Sequence, residues 1–324
     1  MRPVLTVAAV LLGVTACTGQ SAVAPRTATP TSNASLTPSG AAAGSSPVAL
    51  RSAVSGTLPS SGSSTVAGVP LPRGTAVRGV GNDGKPAGGP ILWVSNQAVR
   101  DVGDLWVRLA DAYPRTGLWP LVLQDLDTGL TDQPGVSGDE AGRPWFTGEL
   151  MPDPSASSGV VVDRQMAAWW KANTADFSEL SAPFGTTFPG LVQRLTGPRD
   201  DTAAATLARS SKGRLGLVAV HRPSEVPVVL GWNGPANYFT PEDTSAVLRS
   251  EEDRWGAVLV VLGFEDLTVA LPQAIGSKDE ALRVGAEQMA FCPDAITQGY
   301  ADVDSIDKYA DKIQGASELY CWWD

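Results

Sequence analysis

Along the chain, apolar residues form one run at the start, then nothing regular for some fifty residues, then short runs and spaced stripes to the end. Ile91-Leu92-Trp93-Val94 predicts a strand after a Gly/Pro-rich loop. Val102, Leu105, Trp106 and Leu109 lie at helical spacing and predict a helix over 101–113, closed by Pro114. Leu118–Leu123 reads as a buried strand, and the turn formers of 125–144 as a long loop. Asp163 is placed to cap a helix to about residue 173 that presents Met166 and the pair Trp169-Trp170. A polar gap at 196–213 precedes two more apolar runs, 215–220 and 226–232, both read as strands.

The C-terminal pattern is sharper. Thr240-Pro241-Glu242-Asp243 combines a capping hydroxyl, a proline at the first helical position and an acid three residues on, and predicts a helix over 240–255. Runs 257–262 and 267–271 read as strands. Ser277-Lys278-Asp279-Glu280 is a capping box opening a helix with Leu282, Gly285, Ala286 and Met289 on one face, stopped by Pro293. Ile306, Tyr309, Ala310 and Ile313 mark a last helix. The fold class is therefore α/β or α+β: a mixed sheet flanked by helices. Its parts are an N-terminal α/β half, 65–214, and a C-terminal domain, 215–324.

The opening run is different in kind. One Arg precedes eleven mostly apolar residues, Val4 to Val14. A helix of that length spans about 16 Å, short of a ~30 Å hydrocarbon core, so 1–16 reads as a secretory signal. It ends Val14-Thr15-Ala16-Cys17, which resembles the bacterial lipobox. That resemblance implies a diacylglyceryl and palmitate-type anchor on Cys17, which would become the first mature residue at the outer face of the cell membrane. The alternative is an ordinary signal peptide with Cys17 near the cut. Residues 17–64, mostly Ser, Thr, Ala, Gly and Pro, carry two charges and no aromatic ring. Such a stretch cannot offset its ordering entropy and reads as a disordered tether, with a span of about 35–40 Å.

Charge narrows the partners. All 34 acidic residues follow residue 64, against 21 of the 24 Lys and Arg, leaving 65–324 at −13. Such a head repels phosphates, so no nucleic-acid partner is expected. The bilayer is reached through Cys17, and the head is left to a protein or glycan ligand.

From residue 215 the chain resembles the bacterial domain of unknown function number 4253, common in actinobacteria. The resemblance rests on Gly231-Trp232-Asn233-Gly234-Pro235-Ala236-Asn237, Val247-Leu248-Arg249-Ser250, Glu252-Asp253-Arg254 and Gly263-Phe264. Phe291-Cys292-Pro293-Asp294 and the terminal Trp322-Trp323-Asp324 extend it. Upstream, Arg115-Thr116-Gly117-Leu118-Trp119-Pro120 and Pro183-Phe184-Gly185 are similar to longer members. It implies an α/β fold and no particular activity. Glu251, where members carry an aromatic residue, and Cys321 depart from the pattern.

Motifs for chemistry are incomplete. Gly79-Val80-Gly81-Asn82-Asp83-Gly84 fits a dinucleotide loop but leads into Lys85-Pro86-Ala87-Gly88-Gly89-Pro90, which cannot open the required helix. Asp127-Thr128-Gly129 has no second copy to share a proton with. Asp302-Val303-Asp304 lacks the later oxygen ligands of a calcium loop. His221, the single histidine, has no nucleophile motif beside it. No metal site and no cofactor are expected. On helix 240–255, Glu251 falls inside the apolar arc with Glu252 beside it. These acids read either as cleft residues or, preferably, as ion-paired glutamates. The candidate cleft is Trp232, Asn237, Arg249, Glu252 and Arg254, with Glu252 expected to pair with Arg249 or Arg254. Cys292 and Cys321 are either a disulfide or two small buried side chains.

The leading expectation is a lipid-anchored binding or interaction module rather than an enzyme. The alternative is a cell-wall or glycan hydrolase using paired carboxylates drawn from Glu149, Glu251 and Glu252.

Overall fold

Seven strands form one mixed sheet in the computed structural model, which describes residues 51–324 apart from 53, 82, 125–145, 147–149, 154–158, 177 and 299–302. A two-residue ladder, β1 (Thr65–Val66) with β2 (Val69–Pro70), precedes the hairpin of β3 (Gly74–Val80) and β4 (Pro86–Ser95). Then come α1 (Val102–Thr116), β5 (Leu118–Leu123), α2 (Val162–Asp176), α3 (Ala203–Ser210) and β6 (Arg214–Ala219). The chain continues through α4 (Val226–Leu230), α5 (Pro241–Trp255), β7 (Val258–Leu262), β8 (Asp266–Ala270) and α6 (Lys278–Phe291). It closes with α7 (Pro293–Thr297), α8 (Ile306–Ile313) and β9 (Glu318–Trp322).

The strand order is β3-β4-β6-β5-β7-β8-β9, with β5 and β7 parallel and the other neighbours antiparallel. Helices flank the sheet. Trp106 and Tyr113 of α1 meet Trp119 of β5 edge-on, with centroids 5.5 and 5.1 Å away. The indole nitrogens of Trp106 and Trp119 donate to the Pro120 and Leu259 carbonyls, so these large rings enter the core without stranding a polar atom. No helix among the described residues is long and apolar enough to cross a membrane.

Several expectations need correction. Residues 214 and 215 are no domain boundary: β6 lies between β4 and β5, so the expected C-terminal domain contributes a strand to the middle of the N-terminal half, and residues 51–324 make one compact unit. Of the expected tether, residues 51–64 as far as they are described belong to the body. Ser52 N–H donates to the His221 carbonyl, Gly62 bridges to Gly74, and Ala76 N–H donates to Ser61 Oγ. Backbone pairing to the body orders this stretch despite its poor apolar content. Pro114 lies inside α1, in its last turn, where the missing N–H costs only one helical bond; Gly117, at φ 64°, ends the helix instead.

The run 226–232 holds a short helix rather than a strand. Periodicity cannot assign so short a buried run, whereas Pro227 near its start and Gly231 at φ 61° after its end do. Gly231 is further required because a Cβ there would run into the Met151 backbone. The polar gap conceals α3, whose alanines draw no apolar stripe. Ser277 caps α6, accepting from Glu280 N–H, but the box is not reciprocal. The Glu280 carboxylate instead accepts from Gly276 N–H (2.7 Å), Thr196 N–H (3.1 Å) and the Thr196 hydroxyl (2.6 Å), tying the 196 segment to the helix start.

Candidate functional site

Helix α5 carries the charged motif, and its pitch decides which residues meet. Arg254 is two positions beyond Glu252 and points about 200° around the axis from it. The expected pair therefore does not form. Glu252 faces the turn leaving β6, where Arg222 Nε donates to its Oε1 at 3.2 Å and Arg222 Nη2 donates to Asp253 Oδ1 at 2.6 Å. Arg249, one turn back, donates to Glu225 Oε1 at 3.2 Å. The other oxygen of Glu225 accepts the backbone N–H groups of His221 and Arg222, closing the turn on itself.

Burial makes this cluster consequential. The Arg222 and Glu252 side chains are 9% and 1% exposed. Desolvation raises the Glu252 pKa, with Ser224 and Arg222 acting against it. Ser224 Oγ and Glu252 Oε2 are both buried without a hydrogen bond of regular geometry, yet the serine stands close enough to hold the carboxyl down. For Arg222, desolvation lowers the pKa and the neighbouring Asp253 and Glu252 more than reverse it. His221 Nδ1 lies 3.1 Å from the Ser52 carbonyl, an acceptor, so the ring proton sits on Nδ1 and the ring fastens the 51–52 segment.

The opposite side of α5 faces α6. Arg254 holds Glu287 with two bonds, Nη1 to Oε1 at 3.1 Å and Nη2 to Oε2 at 2.7 Å; it also donates to the Val192 carbonyl and lies over the Trp255 ring. Glu287 is wholly buried, and Val192 N–H completes its acceptor set at 2.6 Å. Glu251 shares this interior at 2% exposure rather than sitting at a helix edge. Desolvation pushes it up to about 8, Arg254 opposing and Glu287 assisting, so it is mostly a neutral carboxylic acid at pH 7.

Trp232 and Asn237 belong to a third place. The Trp232 indole donates to the Gly263 carbonyl and its ring meets Trp323 edge-on at 6.0 Å. Asn237 Nδ2 donates to the Asp324 carbonyl, Asp324 N–H to Asp294 Oδ2, and the Tyr238 hydroxyl to Asp294 Oδ1. Burial and Asp294 raise the Tyr238 phenol to about 12. Three motifs far apart in sequence thus interlock around Asp294. The nearby Trp322 indole donates to Glu265 Oε1.

The five expected cleft residues are consequently divided among three clusters. Among the described clefts, one of about 180 Å³ beside α4 and α5 takes in only Arg249 of them, together with Glu225, Val228 and Ser245. Sequence reasoning missed Arg222, Glu287 and Asp294. Asp294 was already in the Phe291–Asp294 motif; nothing local marks Arg222 and Glu287, whose partners are thirty or more positions away. Cys292 and Cys321 are free thiols, both buried, and not bridged. Among the described residues, no group of three or more His, Cys, Asp or Glu could hold a metal ion. The Gly79–Gly84 stretch leads into β4, not a helix. Cys17, the Asp127–Gly129 tripeptide, Glu149 and Asp302 lie outside the described residues.

Residues 214–324 match the family model of a domain of unknown function, DUF4253. The match spans β6 to β9 and does not take in Arg115–Pro120 or Pro183–Gly185. No curated protein sequence and no solved structure matches the chain.

Proposed function

We propose that the chain is a lipoprotein anchored by an acylated Cys17 at the extracytoplasmic face of the cell membrane, and that its head is a binding or interaction module for a protein or glycan. The anchor rests on the short apolar run and the Val14–Cys17 sequence. The binding role rests on one observation: the interlocked end of the sheet presents aromatic rings to solvent. Phe264 and Tyr238 are 40% and 39% exposed. Their loops are pinned by Trp232 on Gly263 and by Tyr238 on Asp294. Rings held this way offer contact area at little entropic cost. The half-buried carboxylate of Glu265 beside them, with one oxygen accepting from Trp322, suits the hydroxyls of a sugar or the amines of a basic peptide.

A hydrolase needs two acids facing each other across a cleft, about 5–9.5 Å apart. Glu251 and Glu252 are consecutive on one helix, point about 100° apart and are both buried. That geometry favours the binding reading.

The test has two arms. Mass spectrometry of the membrane-extracted protein should find a diacylglyceryl group on Cys17, and Cys17→Ala should leave the membrane fraction. Phe264→Ser should lower retention on cell-envelope material with an unchanged melting temperature. An unmodified mature N-terminus beyond Cys17 refutes the anchor, and equal retention of the two proteins refutes the binding surface.

A further inference from the structure

We infer that Cys292 and Cys321 are a redox pair whose state is chosen while the chain folds and is then sealed in. Cys292 follows the last turn of α6 and Cys321 lies in β9, yet both sulfurs donate to one atom, Gln288 Oε1, at 3.2 and 3.3 Å. Two thiols converging on one acceptor are neighbours, and the register of β9 on β8, with Cys321 opposite Leu267, fixes that meeting.

The same geometry closes the site. Cys292 is fully buried and Cys321 is 3% exposed. Trp323 crosses Phe291 edge-on at 5.2 Å and donates to its carbonyl, which holds the C-terminal strand down beside the pair. Thiol–disulfide exchange needs a thiolate and a path for the oxidant. Burial keeps Cys321 a thiol, and the packed rings leave no path. In the unfolded chain both conditions are met, with the two cysteines about 30 residues apart, a short loop to close.

The reaction with a small-molecule disulfide balances in two exchanges. One cysteine loses its proton, attacks a sulfur of that disulfide and expels one small thiolate. The second cysteine loses its proton, attacks the first protein sulfur and expels the other. Two protons and two electrons leave the protein, and the small disulfide departs as two thiols. The bond formed joins the end of α6 to the C-terminal strand around α7 and α8. Neither sulfur keeps a hydrogen, so Gln288 Oε1 loses both donors; the packing of α6 therefore registers which state was sealed.

The experiment uses the full-length chain. One sample is denatured, reduced and refolded in a mixture of reduced and oxidised glutathione. A second, already folded as the dithiol, is held in the same mixture for the same time. Both are alkylated and digested, and peptides joining Cys292 to Cys321 are quantified. The refolded sample should contain at least about tenfold more linked peptide than the folded one. Equal linkage in the two samples, a refolded sample without the link, or linkage of either residue to Cys17 instead would each overturn the inference.

Discussion

Arg222→Met would leave the Glu252 carboxylate buried without its counter-ion, and breaking such a pair from one side costs about 3–5 kcal/mol. Removing both charges, in Arg222→Met with Glu252→Met, should cost far less, because two desolvated charges vanish together. Urea midpoints of the two single variants and the double variant measure this; a double variant as unstable as the sum of the singles would mean that the groups do not interact. Glu251 makes a prediction of the opposite kind. Its pKa is raised from 4.5 to about 8 on folding, so the folded chain binds a proton that the unfolded chain has released between those values. That contribution to stability is complete below about 4.5 and is lost as pH rises through about 8. Denaturant titrations at about pH 5 and about pH 9 should show wild type losing more stability than Glu251→Gln, which has no proton to release. Parallel losses in the two proteins would place the titrating group elsewhere. Both residues were visible in the sequence as acids on a helix near an apolar arc. Their environments were not, because Arg222 and Glu287 come from elements that only the tertiary fold brings to α5.

At the scale of elements, β9 and the end of α6 depend on one ring. Trp323 is 1% exposed, meets Trp232 and Phe291 edge-on and donates to the Phe291 carbonyl. Trp323→Ala should cost about 3–5 kcal/mol and should first loosen β9, the edge strand. Hydrogen exchange at Leu319 and Cys321, whose residues face β8 partners, would report that; unchanged exchange there would mean that β9 holds without the ring. The elements best read in advance were those with capping chemistry at their ends. The Thr240–Asp243 box forms as expected, with Thr240 Oγ1 accepting from Asp243 N–H and the Asp243 carboxylate accepting from Thr240 N–H. Elements without a periodic stripe were misread or missed. Val226–Leu230 is too short to show a period, and Ala203–Ser210 is too rich in alanine to show contrast. The candidate cleft failed for a related reason: shared motifs marked residues important to packing, and packing sent their side chains to three different places.

At the scale of the whole molecule, the family match and the folded unit do not coincide. Residues 214–324 contain β6, β7, β8 and β9, but β6 pairs with β4 and β5, and β7 with β5. Cut out alone, that segment would have no strand between β6 and β7 and would expose the apolar Val258–Leu262 edge. It should therefore lack a cooperative thermal transition, whereas residues 51–324 should melt in one step; calorimetry distinguishes the two, and a sharp transition in the fragment would show that β5 is dispensable. The interleaving also sets a timetable. When β5 is complete at residue 123, its antiparallel neighbour is still some ninety residues from being synthesised, and β4 waits for the same strand. Until Arg214–Ala219 arrives, two strands of the future interior are sheet margins able to pair with the wrong chain. The late centre makes this a protein of long-range contacts, slow to close and vulnerable in the interval, for which a nascent chain kept from collapsing early is at an advantage.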